Sequence, residues 1–537
     1  MRKLLIFRKS IEAIQMYLTD LTKLEMKAPS DFVRQNNMYN KLPLSLIGIL
    51  FILAFGQTFA ASGPSDRDAI QVYGENPTYW QHKGEPVLLL GGSSNDNIFQ
   101  QAFSGLDEEL DKLASHGGNY LRCTMSSRDK GDAYPFYRDE ETGLFDLDRW
   151  NDEYWEKFDY FLSATNQRDI IVQIEIWATY DFYSRGSHIL DGKTAWERNP
   201  FNPGNNSNYE ETGSGLFYYF RSNGQEIINP FFNTVLPLAE PFDFNIRPVV
   251  LTYQQKFVDK LLSLSFNYDH ILYCIDNETQ ADPKWSRYWA QYIRNAANQQ
   301  NKPVEITEMF DPFDPTGGAV EGAAMQSIST HFFTLRSNVW VTLNDPENYS
   351  YIEISNHNFQ LGQVHFETAH YIWRKIQESG KLRPINNTKI YGAGGEDWAG
   401  SAKDARERFW RNIFAGTASA RFHRPPYGLG NSDMALSHIK SMRMLTKAMD
   451  FFNHKPANHI FSNREENEAY CLSITDREYA VFFPGKGKVG LDIPQGKYEV
   501  RWLNILSSKW DQPTILEFPA ELKTPSDEMW AALLNKI

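Results

Sequence analysis

Residues 271–285 read ILYCIDNETQADPKW, and this stretch decides how the rest of the chain is read. Five apolar or aromatic residues run directly into Asp276, Asn277 and Glu278, and a helix-like segment begins near Asp282-Pro283. A buried strand that ends so abruptly in two carboxylates and an amide has two explanations. Its turn is merely acidic, or the strand carries an acid to the rim of a pocket.

The same rhythm recurs on either side. Strand-like runs occur at 86–96 (PVLLLGGSSND), 118–127 (GNYLRCTMSS), 169–177 (DIIVQIEIW), 270–278 (HILYCIDNE), 303–310 (PVEITEMF), 351–358 (YIEISNHN), 388–397 (TKIYGAGGED) and 418–426 (ASARFHRPP). Amphipathic segments such as LDEELDKLASH, EYWEKFDYFLSATNQ, SRYWAQYIRNAANQQ and ARERFWRNIFAG lie between them, with apolar residues at helical spacing. Near-continuous apolar strands separated by helices indicate a parallel sheet covered on both faces. Eight such units predict a (β/α)8 TIM barrel over residues 62–454, entered through a short β-hairpin at 67–85 and carrying a long insertion at 178–247. After about residue 455 the pattern becomes short alternating strands (AYCLSIT, EYAVFFP, VGLDIP, YEVRWLN, TILEF), which predict a small antiparallel β-sandwich over 455–537.

The net charge of −13 disfavours a general nucleic-acid binder, because there is no basic excess to neutralise phosphates. The three cysteines, Cys123, Cys274 and Cys471, each lie in an apolar run and read as buried thiols. The histidines are scattered without metal-ligand spacing, so no metal and no cofactor is expected. Residues 1–61 read as an extension plus a secretory signal. The apolar run LPLSLIGILFILAFGQTFAAS ends in a Thr58-x-Ala60 cleavage pattern, and the start of the signal fits Met38 better than Met1. A signal anchor is the rival reading, since the run nears the roughly 17–25 residues of a spanning helix. Cleavage predicts a soluble exported protein, periplasmic or secreted, with no stable membrane insertion. The oligomeric state is not legible.

Sites in such barrels lie at the C-terminal ends of the strands. The residues expected there are Asn95, Asp96, Arg122, Glu175, Trp177, Asn277, Glu278, Glu308, Asn356, His357, Glu396, Asp397, Arg421, His423 and Arg424. One strand-end glutamate is easily explained by a neighbouring arginine. So many charged groups together must pair or bind something, because burying them otherwise costs several kcal/mol. Trp177 would supply a stacking wall or fill core. Arg122, Arg421, His423 and Arg424 would receive an acidic group, or would neutralise the pocket's own carboxylates.

Asn277-Glu278 at the fourth strand resembles the Asn-Glu pair of clan A glycoside hydrolases. The architecture, with the segment YAVFFPGKGKVGLDIPQGKYEVRWLN, also resembles the apiosidase-like barrel hydrolases whose C-terminal module carries a collagen-binding label. The resemblance implies a carbohydrate substrate, Glu278 as acid/base with a raised pKa, and a nucleophile at the seventh strand. There Glu396 is the candidate, with Glu308 as the alternative. It implies a retaining double displacement on a polysaccharide or oligosaccharide, with Asn277 on the 2-hydroxyl, and the arginines make an anionic (sulfated or uronic) glycan the leading substrate. A polysaccharide lyase and a non-catalytic carbohydrate-binding barrel are the competing classes. The C-terminal module would brace the barrel or bind glycan.

Overall fold

A computed structural model describes residues 68–183, 189–216, 230–235, 248–279, 281–310, 315–322, 339–355, 358–394 and 397–537. The expectations for the leader, for Asn356 and His357, and for Glu396 fall outside them. So does part of the insertion.

Each apolar run forms a strand followed by a helix. The first four pairs are β1 (Leu89–Gly92) and α1 (Phe103–Ser115), β2 (Tyr120–Thr124) and α2 (Asp152–Asn166), β3 (Ile171–Ala178) and α3 (Pro248–Ser265), β4 (Ile271–Asn277) and α4 (Pro283–Gln299). Then follow β5 (Glu305–Thr307) and α5 (Val339–Asn344), β6 (Ile352–Glu353) and α6 (Gly362–Ser379), β7 (Ile385–Asn386) and α7 (Ala402–Phe414), β8 (Ser419–Phe422) and α8 (Asp433–Ala448). Local chemistry sets the boundaries. At α4, for example, Asp282 accepts from Lys284 N at 2.8 Å and Pro283 fills the first turn, where a missing N–H is no loss.

The strands run parallel in the order β5-β4-β3-β2-β1-β8, with β6 and β7 paired separately. Backbone bonds close the ring: Ser350 N donates to Ile306 O at 2.9 Å, Ala418 N to Ile385 O at 2.8 Å and Arg421 N to Asn387 O at 3.0 Å. The two glycines of β1 are steric necessities. A Cβ on Gly91 would lie 1.8 Å from Tyr120 O, and one on Gly92 would lie 2.2 Å from Gly430 O. The seventh strand departs from the sequence reading: it begins at Ile385, before the run at 388–397, because Asn386 faces Tyr120 inside the barrel and Asn387 faces Asn412 of α7 outside it, so both amides are paired.

A three-stranded antiparallel sheet (Gln71–Val72, Trp80–His82, Glu85–Val87) precedes the barrel, one strand more than the expected hairpin. Its Trp80 is fully buried, donates through Nε1 to Asn386 Oδ1 at 2.8 Å, and meets Tyr351 edge-on at 5.1 Å. Asn386 in turn donates to Tyr120 OH at 3.0 Å, and Tyr120 OH donates to Gln173 Oε1 at 2.8 Å. Trp80 thus joins a polar layer contributed by β2, β3 and β7, and each buried polar group in it has a partner.

Ten short strands follow α8. One antiparallel sheet holds β9 (Lys455–Pro456), β11 (Tyr470–Ile474), β12 (Glu478–Phe483), β18 (Trp530–Lys536), β14 (Gly496–Asn504) and β15 (Lys509–Trp510), with β16 (Thr514–Phe518) also on β14. A second sheet holds β10 (Phe461–Ser462), β13 (Lys488–Leu491) and β17 (Glu521–Lys523). Strand alternation splits the large sheet cleanly. Tyr470, Leu472, Ala480, Phe482, Ala531 and Leu533 belong to the barrel's core. Their neighbours Cys471, Tyr479, Val481, Phe483, Ala532 and Leu534 form a separate core with Val489, Leu491 and Leu522 of the small sheet.

Candidate active site

At the end of β4 the chain turns at Glu278 with φ +62°, a left-handed conformation that is costly for a residue with a Cβ. The turn leaves the Glu278 side chain about one third exposed, while Asp276 and Asn277 beside it are buried. The Glu278 carboxylate meets Lys389 Nζ at 2.5 Å, and the lysine side chain, just beyond β7, is only 2% exposed. The pair joins opposite strands of the ring across its mouth. Burial alone would raise the Glu278 pKa, but the charge and hydrogen bond of Lys389, with the charges of Arg122 and Arg128, hold it below the usual value. The expectation of a raised pKa is therefore reversed in the free protein, because a buried ammonium neighbours the carboxylate.

Asp276 accepts from Thr179 Oγ1 at 2.6 Å and does not orient Arg122. Asn277 Oδ1 is buried with no hydrogen-bond partner among the described residues, so an incoming donor could satisfy it.

The cationic residues converge on Asp96, itself 1% exposed. Arg122 Nη1 lies 2.9 Å from it, Arg128 Nη1 and Arg424 Nε each 3.0 Å, His423 Nδ1 3.6 Å and Arg421 Nη2 3.9 Å. Arg122 Nε also donates to Glu175 Oε2 at 2.7 Å, and Arg421 donates to Thr388 O at 2.7 Å and to Ser93 Oγ. Burial opposes ionisation of Asp96, yet the surrounding guanidiniums keep its pKa well below the carboxylate range. The His423 ring is held neutral, chiefly by burial. Of the arginines expected to receive substrate, Arg122 thus spends two donors and Arg424 one on the barrel's own carboxylates, while Arg421 is bound to a carbonyl and a hydroxyl. Asp96 and Glu175 act as their counter-ions.

Glu308 departs from its expected place, and of the two readings of Trp177 its packing is that of core filler. Glu308 is fully buried: Oε1 accepts from the backbone N–H of Asp276 and of Met309, both at 2.9 Å, and Oε2 accepts from Ser286 of α4 at 2.6 Å. It is engaged on the helix side of β5, away from Glu278. Trp177 packs against Phe257 of α3 at 5.0 Å, Phe231 at 5.2 Å and Trp289 of α4 at 5.8 Å, so it fills core. Asn95 is half-buried in the loop after β1, where its carbonyl accepts from Ser93 Oγ at 2.6 Å.

Lys389, Arg128 and Trp398 are site features that the sequence reading did not single out. Lys389 left a signal: a lysine inside TKIY, next to Ile390, which bridges to Phe422 of β8, needs an acid to face. Arg128 lies in a polar loop and gave none. Trp398 is 53% exposed, with Tyr391 at 5.1 Å and Tyr427 at 5.6 Å, an aromatic surface on the loop after β7. Arg408 of α7 fixes the base of that loop. Its guanidinium donates to the carbonyls of Tyr391 (2.8 Å), Ala399 (2.6 Å), Gln360 (2.7 Å) and Phe359 (2.5 Å).

The buried carboxylates give the stability a direction with pH. Burial pushes Asp276 and Glu353 up to about 7 and Glu308 well above its usual value. The folded state therefore keeps these protons between about pH 4 and 7, where the unfolded chain releases them, so stability falls as pH rises through that window. Asp96 works the other way: its contribution is present above its unfolded pKa and is lost below about pH 4. Melting temperatures by calorimetry should peak near about pH 4 and fall by several degrees towards pH 8. A rise over that interval would contradict the assignment.

No protein-family model and no curated protein sequence matches the chain. Solved structures do. A glycoside hydrolase family 5 protein from Bacteroides vulgatus superposes with a TM-score of 0.55 at 12% identity, covering 88% of this chain and 94% of that one. A second structure, described as a glycoside hydrolase, gives 0.52 at 12% identity over 88% and 97%. At such identities the likeness is one of fold: a TIM barrel. Among the described residues, no group of three or more His, Cys, Asp or Glu is placed to hold a metal ion, and no helix is long and apolar enough to cross a membrane.

Proposed function

We propose that the chain is an exported glycosidase, resembling the apiosidase-like barrel hydrolases, that cleaves an acidic glycan. One observation carries this reading: Glu278, at the end of the fourth of eight parallel strands, is strained, partly exposed and held by a buried lysine across the mouth. Strain of that kind persists where the surroundings impose it, and it clusters at active sites. Glu278 is the acid/base, and Glu396, on the loop after β7, is the nucleophile. In the first step Glu278 protonates the leaving oxygen while Glu396 attacks the anomeric carbon. In the second, water gives its proton to Glu278 and releases the sugar with retained configuration. The unpartnered Asn277 Oδ1 accepts from the 2-hydroxyl, and Trp398 with Tyr391 and Tyr427 offers a face for a neighbouring ring.

An acidic glycan is favoured because Arg122, Arg128, Arg421, Arg424 and Lys389 gather at the strand ends of an otherwise acidic protein. Export rests on the leader-like run ending at Ala60. The two C-terminal sheets are read as a sandwich, like the module labelled collagen-binding, whose role here is to brace the barrel.

The test is digestion of neutral, uronic and sulfated glycans by the chain from Ala61, with Glu278→Gln and Glu396→Gln in parallel. Glu278→Gln should lower kcat by about 10²–10⁴-fold, and NMR of the first product should show the retained anomer. Unsaturated products would make the protein a lyase. Full activity in Glu278→Gln would remove the acid/base assignment.

A further inference from the structure

The Glu278–Lys389 pair raises a difficulty that its own geometry resolves. An acid that must protonate a leaving oxygen cannot do so while an ammonium 2.5 Å away holds it ionised. The other cations near it do not release it, because Arg122 and Arg128 are committed to Asp96 and Glu175. Lys389 differs from them in two ways. Its hydrogen-bond partner is the partly exposed Glu278, and at one third exposure that carboxylate can turn to water or to a ligand. Among the described residues, Glu353 of β6 and His423 beyond β8 also act on Lys389. Glu353 already accepts from Ser355 N at 2.9 Å and from Gln173 Nε2 at 3.2 Å, and the buried His423 ring carries no charge near neutral pH. Among the described residues Glu278 is the ion-pair partner of Lys389, and no second one lies within 4.0 Å.

We propose that Lys389 is a positioning residue that works in two states: in the free enzyme it holds Glu278, and in the complex it turns to an acidic substituent of the glycan and frees Glu278 to act as the acid. This rests on the glycosidase reading and adds to it the selection of substrate. The proton balance is simple. Free enzyme contains an ammonium and a carboxylate. The substrate brings a second anion, which takes the ammonium. Glu278, now beside an anion in a less hydrated site, takes one proton from solvent and later delivers it to the glycosidic oxygen. A neutral sugar leaves the original pair intact and Glu278 ionised. Specificity for acidic glycans would then reside largely in the chemical step, because only they switch the acid on.

Two readouts test this with wild type, Lys389→Met, Lys389→Arg and Glu278→Gln. The first needs no turnover: inorganic sulfate, then methyl β-D-glucuronide, is titrated into lightly buffered protein near about pH 5, and proton uptake is measured. Wild type and Lys389→Arg should take up protons saturably, towards one per chain, whereas Lys389→Met and Glu278→Gln should take up none. Absence of uptake by wild type, or equal uptake by Lys389→Met, would overturn the proposal. The second compares phenyl β-D-glucuronide with phenyl β-D-glucoside, whose poorer leaving group depends more on the acid. Wild type should favour the uronide by about tenfold or more in kcat/KM, the scale of one charge-assisted hydrogen bond, and Lys389→Met should erase that ratio and move the pH optimum upward. Hydrolysis without proton uptake keeps the glycosidase and removes the role of Lys389. Proton uptake with no glycan cleaved by wild type does the reverse.

Discussion

Replacing Asp96 with alanine should destabilise the protein by about 3–5 kcal/mol, the usual penalty for removing one partner from a buried ionic group. Three guanidiniums hydrogen-bond this carboxylate: Arg122 from β2, Arg128 from the following loop and Arg424 beyond β8. Without it, Glu175 remains as the only carboxylate on Arg122, while Arg128 loses its ion pair and Arg424 is left 3.9 Å from the half-exposed Asp129. The positive charges would then repel one another across the closure of the barrel, where β1 and β8 meet. Asp96→Asn, which keeps shape and some hydrogen bonding, should fall between wild type and alanine. Thermal unfolding of all three proteins is the measurement, with a loss in the alanine variant on the order of 3–5 °C. A melting temperature unchanged in Asp96→Ala would mean that water or ions solvate the arginines, and that they are freer to bind substrate than the geometry implies.

Removing residues 455–537 should prevent the barrel from folding as a soluble monomer. The large C-terminal sheet covers three barrel helices directly. Phe482 stacks on Trp410 of α7 at 5.2 Å and lies 5.7 Å from Phe414, and Tyr470 packs on Phe366 of α6 at 4.7 Å. Ser441 of α8 donates to Ile505 O at 2.6 Å, and the buried Arg411 donates to Asn467 Oδ1 at 2.7 Å. Uncovering each large aromatic side chain costs about 1.5–3 kcal/mol. Three or four of them therefore approach the roughly 5–15 kcal/mol that is all a typical domain has. Expression of residues 62–454 beside 62–537, read by solubility and near-UV circular dichroism, decides the matter. A soluble, cooperatively melting 62–454 would show the module to be an appendage with a separate task.

The barrel was legible because burial on both faces leaves continuous apolar runs, and each run from PVLLLGG to ASARF contains or abuts a strand. Two helices escaped notice. The α5 helix is one and a half turns long, and α8 mixes Met, Ser, His and Lys so that its apolar face does not stand out. The start of β7 was misplaced because Asn386 and Asn387 look like loop residues, whereas in the barrel wall such amides pair with Tyr120 on the inside and with other amides on the outside. Within the site, the residue types at strand ends could be read but their pairing could not. Asp96 and Arg424 are far apart in the chain, and only closure of the ring makes them ion partners. Trp177 and Glu308 could not be placed for the opposite reason: a side chain at a strand end has two faces to choose from, and alternation near an irregular end does not fix the choice.

Arg408 has a consequence for how this protein could change over generations. All four of its acceptors are main-chain carbonyls, of Phe359, Gln360, Tyr391 and Ala399. A clamp that grips only the peptide backbone is indifferent to the side chains it carries. Gly392 and Gly400, where a Cβ would crowd Ser401 O and the Arg408 guanidinium, are fixed by the frame, but exposed side chains such as Trp398 can be exchanged without disturbing it. One buried cation beneath the surface therefore leaves exposed positions above it open to variation without putting the fold at risk.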